Sequence, residues 1–316
     1  MAKSGPPRDR EFIVKLLNVG CGMCFHPEWT NVDLVSHSPS VLACDLTRGI
    51  PFGDEMFDAV YHSHVLEHLQ PHDGGEMLKE CVRVLAPGGV LRVVVPDLER
   101  IAIDYLRELQ IASEHPSEAA SLRHRWMIAE LIDQMVRNRR GGSMGPVMKG
   151  QPDQTVGMSS DDSKAWSVFQ DFVADRMGHE VGGNAKVSRR PAVSTRVRKL
   201  IRRFRRTVAG VSVRMIDGRD GYRAYREGQF RSAGEVHRWM YDRLSLAAAM
   251  TAAGLEDVRV CRAEESRIAG FDHYQLDRDG VRVRKPDSLF MEAVRPRQQD
   301  AANRSCSQRS AASRAA

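Results

Sequence analysis

The sequence predicts an α/β protein built on a mostly parallel β-sheet with helices on both faces. Short apolar segments alternate with helix-like segments through residues 11–110, which is the pattern of strand–helix–strand units. Segment 90–95 is almost wholly apolar, as expected for a strand that is covered on both sides. Glycines and acids follow several of these strands, and ligands of such sheets bind at the carboxyl ends of the strands.

The elements can be predicted in chain order from their patterns. The predicted strands are residues 13–20, 31–35, 41–46, 57–64, 90–95, 258–261 and 288–294. The predicted helices of the sheet region are residues 74–85, 98–109 and 244–253, the first ending before Pro87-Gly88-Gly89 and the last before Gly254. The last two strands are expected to pair as a hairpin-like edge.

Composition indicates a soluble globular protein. The 316 residues are 42% hydrophobic and 28% charged, and no apolar run approaches the roughly 20 residues that cross a bilayer. Residues 1–10 lack the apolar core of a signal peptide, so a cytoplasmic location is expected. The six cysteines are scattered, which favours free thiols in a reducing compartment over a disulfide framework or a redox or zinc motif.

The net charge of +6 comes from one segment. Ten Lys and Arg residues and no acid lie between Lys186 and Arg206. Within residues 195–209, apolar side chains recur at helical spacing, which predicts a basic amphipathic helix. Its apolar stripe could pack on the core, lie on an anionic membrane surface or, less in keeping with its few aromatic residues, contact nucleic acid.

A glycine turn follows the first strand. Gly20-Cys21-Gly22 allows a tight turn with backbone N–H groups open to a ligand. Phe25 stands where a dinucleotide fingerprint needs its third glycine, so a pyrophosphate is not expected. Asp33 closes the second strand and could accept hydrogen bonds from ribose hydroxyls, and Asp45 closes the third and could accept from an adenine amino group.

These features resemble the class I S-adenosylmethionine (SAM)-dependent methyltransferases, and more narrowly predicted bacterial enzymes of the type 11 kind. The resemblance is carried by Asn18 to Gly22, Asp33, Cys44-Asp45-Leu46, Pro51-Phe52, Phe57 to Val60, Ser63 to Leu69, Arg83 to Leu91, Val95 to Glu99 and His237 to Asp242. It covers roughly residues 11–110 and 230–296. One departure is that only 12 residues separate Gly20 from Asp33, where most of this class has a full helix.

The resemblance implies a Rossmann-like fold and SAM as cofactor. It implies that Asn18, Gly20, Cys21, Gly22, Asp33, Asp45, Leu46 and His64 bind the cofactor, with Asp33 on the ribose and Asp45 and Leu46 at the adenine. His64 would lie near the sulfonium and the acceptor. His64 is the first candidate for a general base or positioning residue, and His237 the second.

No metal is expected from the sequence. His62 and His64 share one face of a strand, whereas His68 and His72 fall in a helix and its loop, so a common centre is not predicted. Glu67 and His68 are interpreted as anchors of the helix that follows the fourth strand. The implied partner is a small-molecule acceptor.

The expected organisation has four parts. Residues 11–110 begin the SAM-binding core, and residues 230–297 complete it with the last helix and two strands. Residues 111–229 form a helical, partly disordered insertion that covers the substrate and carries the basic helix, and residues 298–316 form a disordered tail. The expected function is methyl transfer to a small molecule or sugar at oxygen. The alternatives are an RNA- or membrane-associated methyltransferase that uses the basic helix, and a non-catalytic SAM-binding protein.

Overall fold

The computed structural model describes residues 14–178 and 193–297 and contains a seven-stranded sheet in the order β3-β2-β1-β4-β5-β9-β6. Its strands are β1 (Leu16–Val19), β2 (Thr30–Asp33), β3 (Val41–Ala43), β4 (Phe57–Ser63), β5 (Leu85–Pro96), β6 (Glu256–Cys261) and β9 (Ser288–Val294). A separate two-stranded ribbon pairs β7 (Arg278–Asp279) with β8 (Arg282–Val283). β1 to β5 pair in parallel and β9 runs antiparallel to both of its neighbours, so the predicted Rossmann-like, mostly parallel sheet is confirmed.

Helices surround this sheet and extend the chain between β5 and β6. They are α1 (Pro71–Val84), α2 (Leu98–Glu114), α3 (Glu118–Ile128), α4 (Gln134–Val136), α5 (Met144–Met148), α6 (Ser163–Met177), α7 (Val193–Arg231) and α8 (Arg243–Ala252). A π-helical turn (Ala129–Asp133) joins α3 to α4, and short 3₁₀ turns occur at Leu46–Arg48, Leu66–His68, Gln154–Val156 and Phe271–Tyr274.

The two faces of the sheet are covered differently. On one face, the apolar side chains of α1 and α8, among them Leu78 and Leu246, pack against the strands in the largest buried cluster. On the other face, Trp29, Phe271 and Leu276 pack against Tyr61 and other strand residues. The short chain between β1 and β2 explains this, because it forms no helix and instead inserts Trp29.

The part of the chain after α2 has an apolar cluster of its own. It includes Trp126 of α3 and Phe169 of α6, both fully buried. Residues 141–162, whose Gly, Ser, Met and Pro content predicts a flexible loop, contain the short α5 and the 3₁₀ turn Gln154–Val156, and they contribute Met144, Val147 and Met158 to this cluster. The methionines, with their adaptable side chains, provide core contacts there.

The basic helix differs from its prediction in length and in what it packs against. α7 spans Val193–Arg231 and contains non-helical backbone at Gly218, so it consists of two helical segments. The second segment folds back on the first, because the ring of Tyr222 lies beside Gly210 and the hydroxyl of Tyr225 donates to the carbonyl of Arg206 at 3.4 Å. We call these two segments the α7 arm.

Some of the predictions concern residues that the structure does not describe. Residues 1–13, 179–192 and 298–316, and with them the predicted tail and the start of the first strand, lie outside the described residues. Among the helices that the structure describes, none has the length and apolar character needed to cross a membrane.

Candidate active site

The glycine turn after β1 is fastened to β2 by hydrogen bonds. Gly20 and Gly22 both have positive φ, at 67° and 52°. The N–H groups of Gly20 and Cys21 donate to the carbonyl of Val32 at 2.8 and 3.1 Å. The N–H of Gly22 donates to Oδ2 of Asp33 at 2.8 Å, so this carboxylate holds the turn from the neighbouring strand. No atom lies within 4 Å of where a Cβ on Gly22 would be, which leaves open space beside the backbone.

Six of the eight residues predicted to bind the cofactor line one cavity, and the other two are buried beside it. Gly20, Gly22, Asp33, Asp45, Leu46 and His64 line one cavity of about 1760 Å³. Asn18 and Cys21 are buried outside its lining. The Asn18 side chain donates to the carbonyl of Cys24 at 3.1 Å, so it supports the glycine turn from below. Burial also raises the pKa of the Cys21 thiol to about 12, which keeps it protonated.

Part of the α7 arm faces the same cavity. The basic side chains in the lining are Arg140, Arg203, Arg206, Arg214, Arg223, Arg226 and Arg238. Asp33, Asp45, Asp73 and Glu227 are the acids among the described lining residues. The cavity therefore has a carboxylate-containing end at the strand tips and a strongly basic side beneath the arm.

His64 lies at the junction between β4 and the turn that follows it. Its φ of 55° is unusual for a residue with a Cβ, and its N–H donates to the carbonyl of Val94 at 2.9 Å. Nε2 lies 2.9 Å from the hydroxyl of Ser288 on β9, and Nδ1 lies 3.1 Å from Oε1 of Glu67. These two contacts fix the plane of the ring. Backbone outliers of this kind cluster at functional sites.

Glu67 is the centre of a histidine cluster that the sequence did not reveal. It is fully buried, and His64, His68 and His237 surround it. Burial alone would raise the pKa of Glu67, but the interaction with His64 and the charges of the cluster hold it at about 2. Burial lowers the pKa of His237 to about 3 despite the neighbouring carboxylate. At neutral pH, an ionised Glu67 therefore lies beside a neutral His237.

His237 does not line the cavity that contains the predicted cofactor residues. It lines a second cavity of about 410 Å³, together with Gln134, Arg137, Glu235 and Lys285. His64 and His68 line both cavities, so the two spaces meet at these side chains. Local sequence pattern does not predict that His237 lies beside Glu67. The sequence marked His237 only through its place in a motif with Trp239 and Tyr241.

Comparison with known proteins identifies the first part of the sheet. Residues 17–93, from β1 into β5, match the family model described as "Methyltransferase domain". The match contains the glycine turn, Asp33, Asp45 and His64, and it confirms the resemblance to SAM-dependent methyltransferases. No curated protein matches the chain.

Solved structures similar to this chain are remote. A SAM-dependent methyltransferase from Thermotoga maritima, described as a possible histamine N-methyltransferase, has 12% identity and a TM-score of 0.34, with 89% of this chain and 82% of that chain covered. A chain from the "Complex between the Haloferax volcanii Trm112 methyltransferase activator and the putative methyltransferase" has 18% identity and a TM-score of 0.23, with 31% of this chain and 50% of that chain covered. PKMT2 from Rickettsia typhi, in complex with AdoHcy, has 11% identity and a TM-score of 0.30, with 91% and 49% covered.

The match to the Haloferax volcanii complex spans about half of the length of that chain. All these TM-scores are low. The strand order and pairing of this chain define its fold.

Proposed function

We propose that this chain, which carries a methyltransferase domain over residues 17–93, transfers a methyl group from SAM to the oxygen of a small molecule or sugar. One observation carries the proposal. Gly20, Gly22, Asp33 and Asp45, at the ends of neighbouring strands, line the same cavity as His64. Ligands of parallel sheets bind at this edge, which supports a shared site for cofactor and acceptor.

The residues at the strand ends fit an adenosyl cofactor. The open space beside Gly22 lets a ligand approach the backbone closely, and a side chain there would fill it. The Oδ2 atom of Asp33 already accepts from the Gly22 N–H, and a carboxylate has further lone pairs for ribose hydroxyls. Asp45 and Leu46 would hold the adenine. The bound cofactor would supply an electrophilic methyl group on a sulfonium.

His64 has the geometry of an acceptor-orienting base. With Nδ1–H turned to the carboxylate of Glu67, Nε2 is free to accept a hydrogen bond, and the Ser288 hydroxyl is 2.9 Å away. An acceptor hydroxyl that took the place of the Ser288 hydroxyl could release its proton to Nε2. A positioned base of this kind contributes about 10² to 10⁴ in rate. His237, whose pKa burial lowers, is proposed to contact the acceptor.

The second cavity is suited to a compact acceptor. Its volume of about 410 Å³ lies within the range of small-ligand pockets, and polar side chains surround it. His64 lies at its boundary with the cofactor cavity, so an acceptor held there would present an oxygen to the cofactor side. The remaining part of the proposal, that residues 111–229 cover the acceptor, is supported by Gln134, Arg137 and Arg140, which line this second cavity.

Membrane association is a second candidate, and the exposed stripe of the α7 arm favours it. Phe204, Val208, Val211 and Met215 recur at helical spacing and are 69%, 49%, 53% and 81% exposed. Phe204 and Val208 belong to the stripe predicted within residues 195–209, and their exposure does not favour the alternative in which this stripe packs on the core. Arginines flank the stripe, and this combination is typical of helices that lie on anionic membranes.

Calorimetry with SAM and with its demethylated product tests the cofactor proposal. The wild-type chain should bind both, and Asp33→Ala should weaken binding at least tenfold because charge-assisted hydrogen bonds are lost. Glu76→Ala, which removes a surface carboxylate of α1, should leave binding unchanged. No heat at near-millimolar SAM would overturn the proposal.

Turnover separates the enzyme from a binding protein. Release of the demethylated cofactor would be measured with a panel of sugars and hydroxylated small molecules. Acceptor-dependent release supports methyl transfer, whereas tight binding without release from any acceptor supports the non-catalytic alternative.

A further inference from the structure

We propose that Glu67, His68 and His237 form a binding site for one divalent transition-metal ion such as Zn²⁺. One donor atom from each of the three side chains can be chosen so that all three lie within 4.8 Å of one another. Glu67 and His237 are buried and His68 is half-buried. Two imidazoles and one carboxylate form a donor set that proteins use for zinc sites with an open coordination position.

The fold brings the three residues together from distant parts of the chain. Glu67 and His68 lie in the 3₁₀ turn Leu66–His68, directly after β4 and His64. The N–H groups of Arg238 and Trp239 donate to the carbonyl of Glu67 at 2.7 and 3.2 Å. These backbone bonds fix His237 beside the carboxylate, and its ring lies 4.8 Å from that of His68 in an edge-to-face arrangement.

The cluster contains buried polar atoms without partners. Among the described residues, Oε2 of Glu67 and Nδ1 of His237 have no hydrogen-bond partner, and Oε1 of Glu67 has only the contact with Nδ1 of His64 at 3.1 Å. Buried polar atoms are nearly always satisfied, so a carboxylate oxygen and an imidazole nitrogen left over in one cluster call for an additional group. A metal ion would satisfy both at once.

Contacts around the cluster hold His68 and Glu67 in place. Nδ1 of His68 lies 3.4 Å from the carbonyl of Val236, which leaves Nε2 as the donor. His64 lies on the other side of Glu67, with Nδ1 3.1 Å from Oε1. A ligating imidazole that donates to a carbonyl, and a ligating carboxylate that accepts from a neighbouring N–H, are typical of the outer shell of metal sites.

The donor atoms already lie near one another, since all three are within 4.8 Å of each other. In a tetrahedral zinc site the donors are roughly 3.4 Å apart, given bond lengths of about 2.0–2.2 Å. The upper bound of 4.8 Å on the present donor spacing is compatible with such a site after small adjustments of the side chains.

Positive charges nearby determine what can share the site. Arg137, Arg140 and Lys285 line the adjoining cavity, while Arg137 donates to the carbonyl of Glu235 and Arg140 pairs with its carboxylate at 3.2 Å. These cations oppose a bare ion but favour an anion or ionised oxygen at its open position. If the proposed function holds, an acceptor hydroxyl bound there would ionise more readily, and its proton would pass to His64.

The test is a metal titration of the full chain without SAM. Protein freed of metal with a chelator would be titrated with Co²⁺ and followed by absorption spectroscopy, and with Zn²⁺ and followed by calorimetry. We expect one ion per chain, and a loss of affinity of at least tenfold in His237→Ala and in His68→Ala. Circular dichroism would confirm that both variants fold, and His68→Gln would serve if His68→Ala does not.

A second histidine cluster provides the matched control. His26, Glu28 and His273 also have donor atoms within 4.8 Å of one another, but Glu28 and His273 are exposed. His26→Ala should leave the ion bound. Absence of stoichiometric binding, or loss of binding in His26→Ala but not in His237→Ala, would overturn the proposal. Because the readout needs neither SAM nor an acceptor, failure here differs from failure of the proposed methyl transfer.

Discussion

The backbone of Gly20 lies against the side chain of Val65 so closely that a Cβ on Gly20 would be 2.3 Å from Cγ2 of Val65. The turn after β1 and the turn after β4 are thus in direct contact, and each limits the position of the other. His64 precedes Val65, so the contact also fixes the distance between the glycine turn and the candidate base. The cavity depends on this packing as well as on the strands.

Gly20→Ala is expected to damage both stability and cofactor binding. The positive φ costs an alanine about 1–2 kcal/mol, and relieving the clash with Val65 adds a cost of similar size. We expect the free energy of unfolding to fall by about 2–4 kcal/mol and the affinity for SAM to fall at least tenfold. Urea unfolding and calorimetry measure the two effects.

Two variants separate the contributions. Val65→Ala in the Gly20→Ala background should recover the part due to the clash but not the part due to φ. Gly22→Ala has a positive φ and no clash, so it should lose affinity with a smaller loss of stability. Unchanged SAM binding in Gly20→Ala would contradict the proposed cofactor site.

The sequence could predict the strand-end residues because they follow from local pattern. Asp33 ends β2 and Asp45 lies two residues after β3, and the edge of a parallel sheet collects such residues. It could not predict that His237 joins Glu67, because about 170 positions separate them and only backbone bonds in the folded chain bring them together. Arg92 lies among apolar residues in β5. The local pattern therefore gave no indication that it pairs with Glu292 on β9 and with Asp277 just before β7.

His64→Ala is expected to reduce turnover far more than cofactor binding. If Nε2 accepts the proton of the acceptor, its loss should lower kcat by about 10²-fold or more, with little change in the affinity for SAM. Steady-state kinetics with an identified acceptor, together with calorimetry, measure both quantities. Ser288→Ala removes the hydroxyl that lies 2.9 Å from Nε2 and should have a smaller effect.

The surface variant His115→Ala is the control and should behave as wild type. Turnover in His64→Ala equal to that of wild type would show that proximity alone accounts for the reaction and that His64 is not its base.

Arg92→Met is expected to destabilise the protein strongly. Arg92 is fully buried, and its guanidinium bonds to Asp277 at 2.7 Å and to Glu292 at 2.8 Å. The methionine would leave two buried carboxylates without this cation, which typically costs about 3–5 kcal/mol. Arg259→Met is the matched control, because Arg259 also pairs with Glu292 but is 42% exposed in its side chain.

Exposed pairs contribute about 1 kcal/mol or less, so Arg259→Met should unfold at nearly the wild-type urea concentration. Equal effects of the two substitutions would contradict the importance assigned to the buried ion pair.

His62→Leu is expected to make the protein more resistant to acid. Burial lowers the pKa of His62 from 6.5 to about 4, opposed by Glu67, and neither ring nitrogen has a partner among the described residues. Between these values the unfolded chain binds a proton that the folded chain does not, so stability falls as pH falls from 6.5 to 4. The full effect is about 3 kcal/mol.

Urea unfolding at pH 7 and at pH 4.5 would measure the difference. The wild type should lose more stability between these pH values than His62→Leu, and His115→Leu, which changes an exposed histidine, should follow the wild type. An identical pH dependence of wild type and His62→Leu would show that His62 is not buried in its neutral form.

Glutamates introduced near the turn of the α7 arm should abolish membrane binding if the apolar stripe inserts into lipid. Met215 and Ile216 are 81% and 80% exposed beside Gly218, where the arm turns back. Replacing both with Glu removes apolar area and adds repulsion from anionic lipids. We expect the wild type to sediment with phosphatidylglycerol vesicles and not with phosphatidylcholine vesicles, and the double variant to stay in solution.

The control must keep an equal change of charge elsewhere. The control is the double variant Val260→Glu and Val281→Glu, which adds the same charge. Val281 lies between β7 and β8 and is 91% exposed, and Val260 is an exposed residue of β6. Binding that survives the changes at Met215 and Ile216 but disappears at high salt would mean that the arginines alone attract an anionic surface. Such binding would favour a polyanion such as RNA over insertion of the stripe, because apolar insertion depends on buried area and phosphate contacts depend on salt.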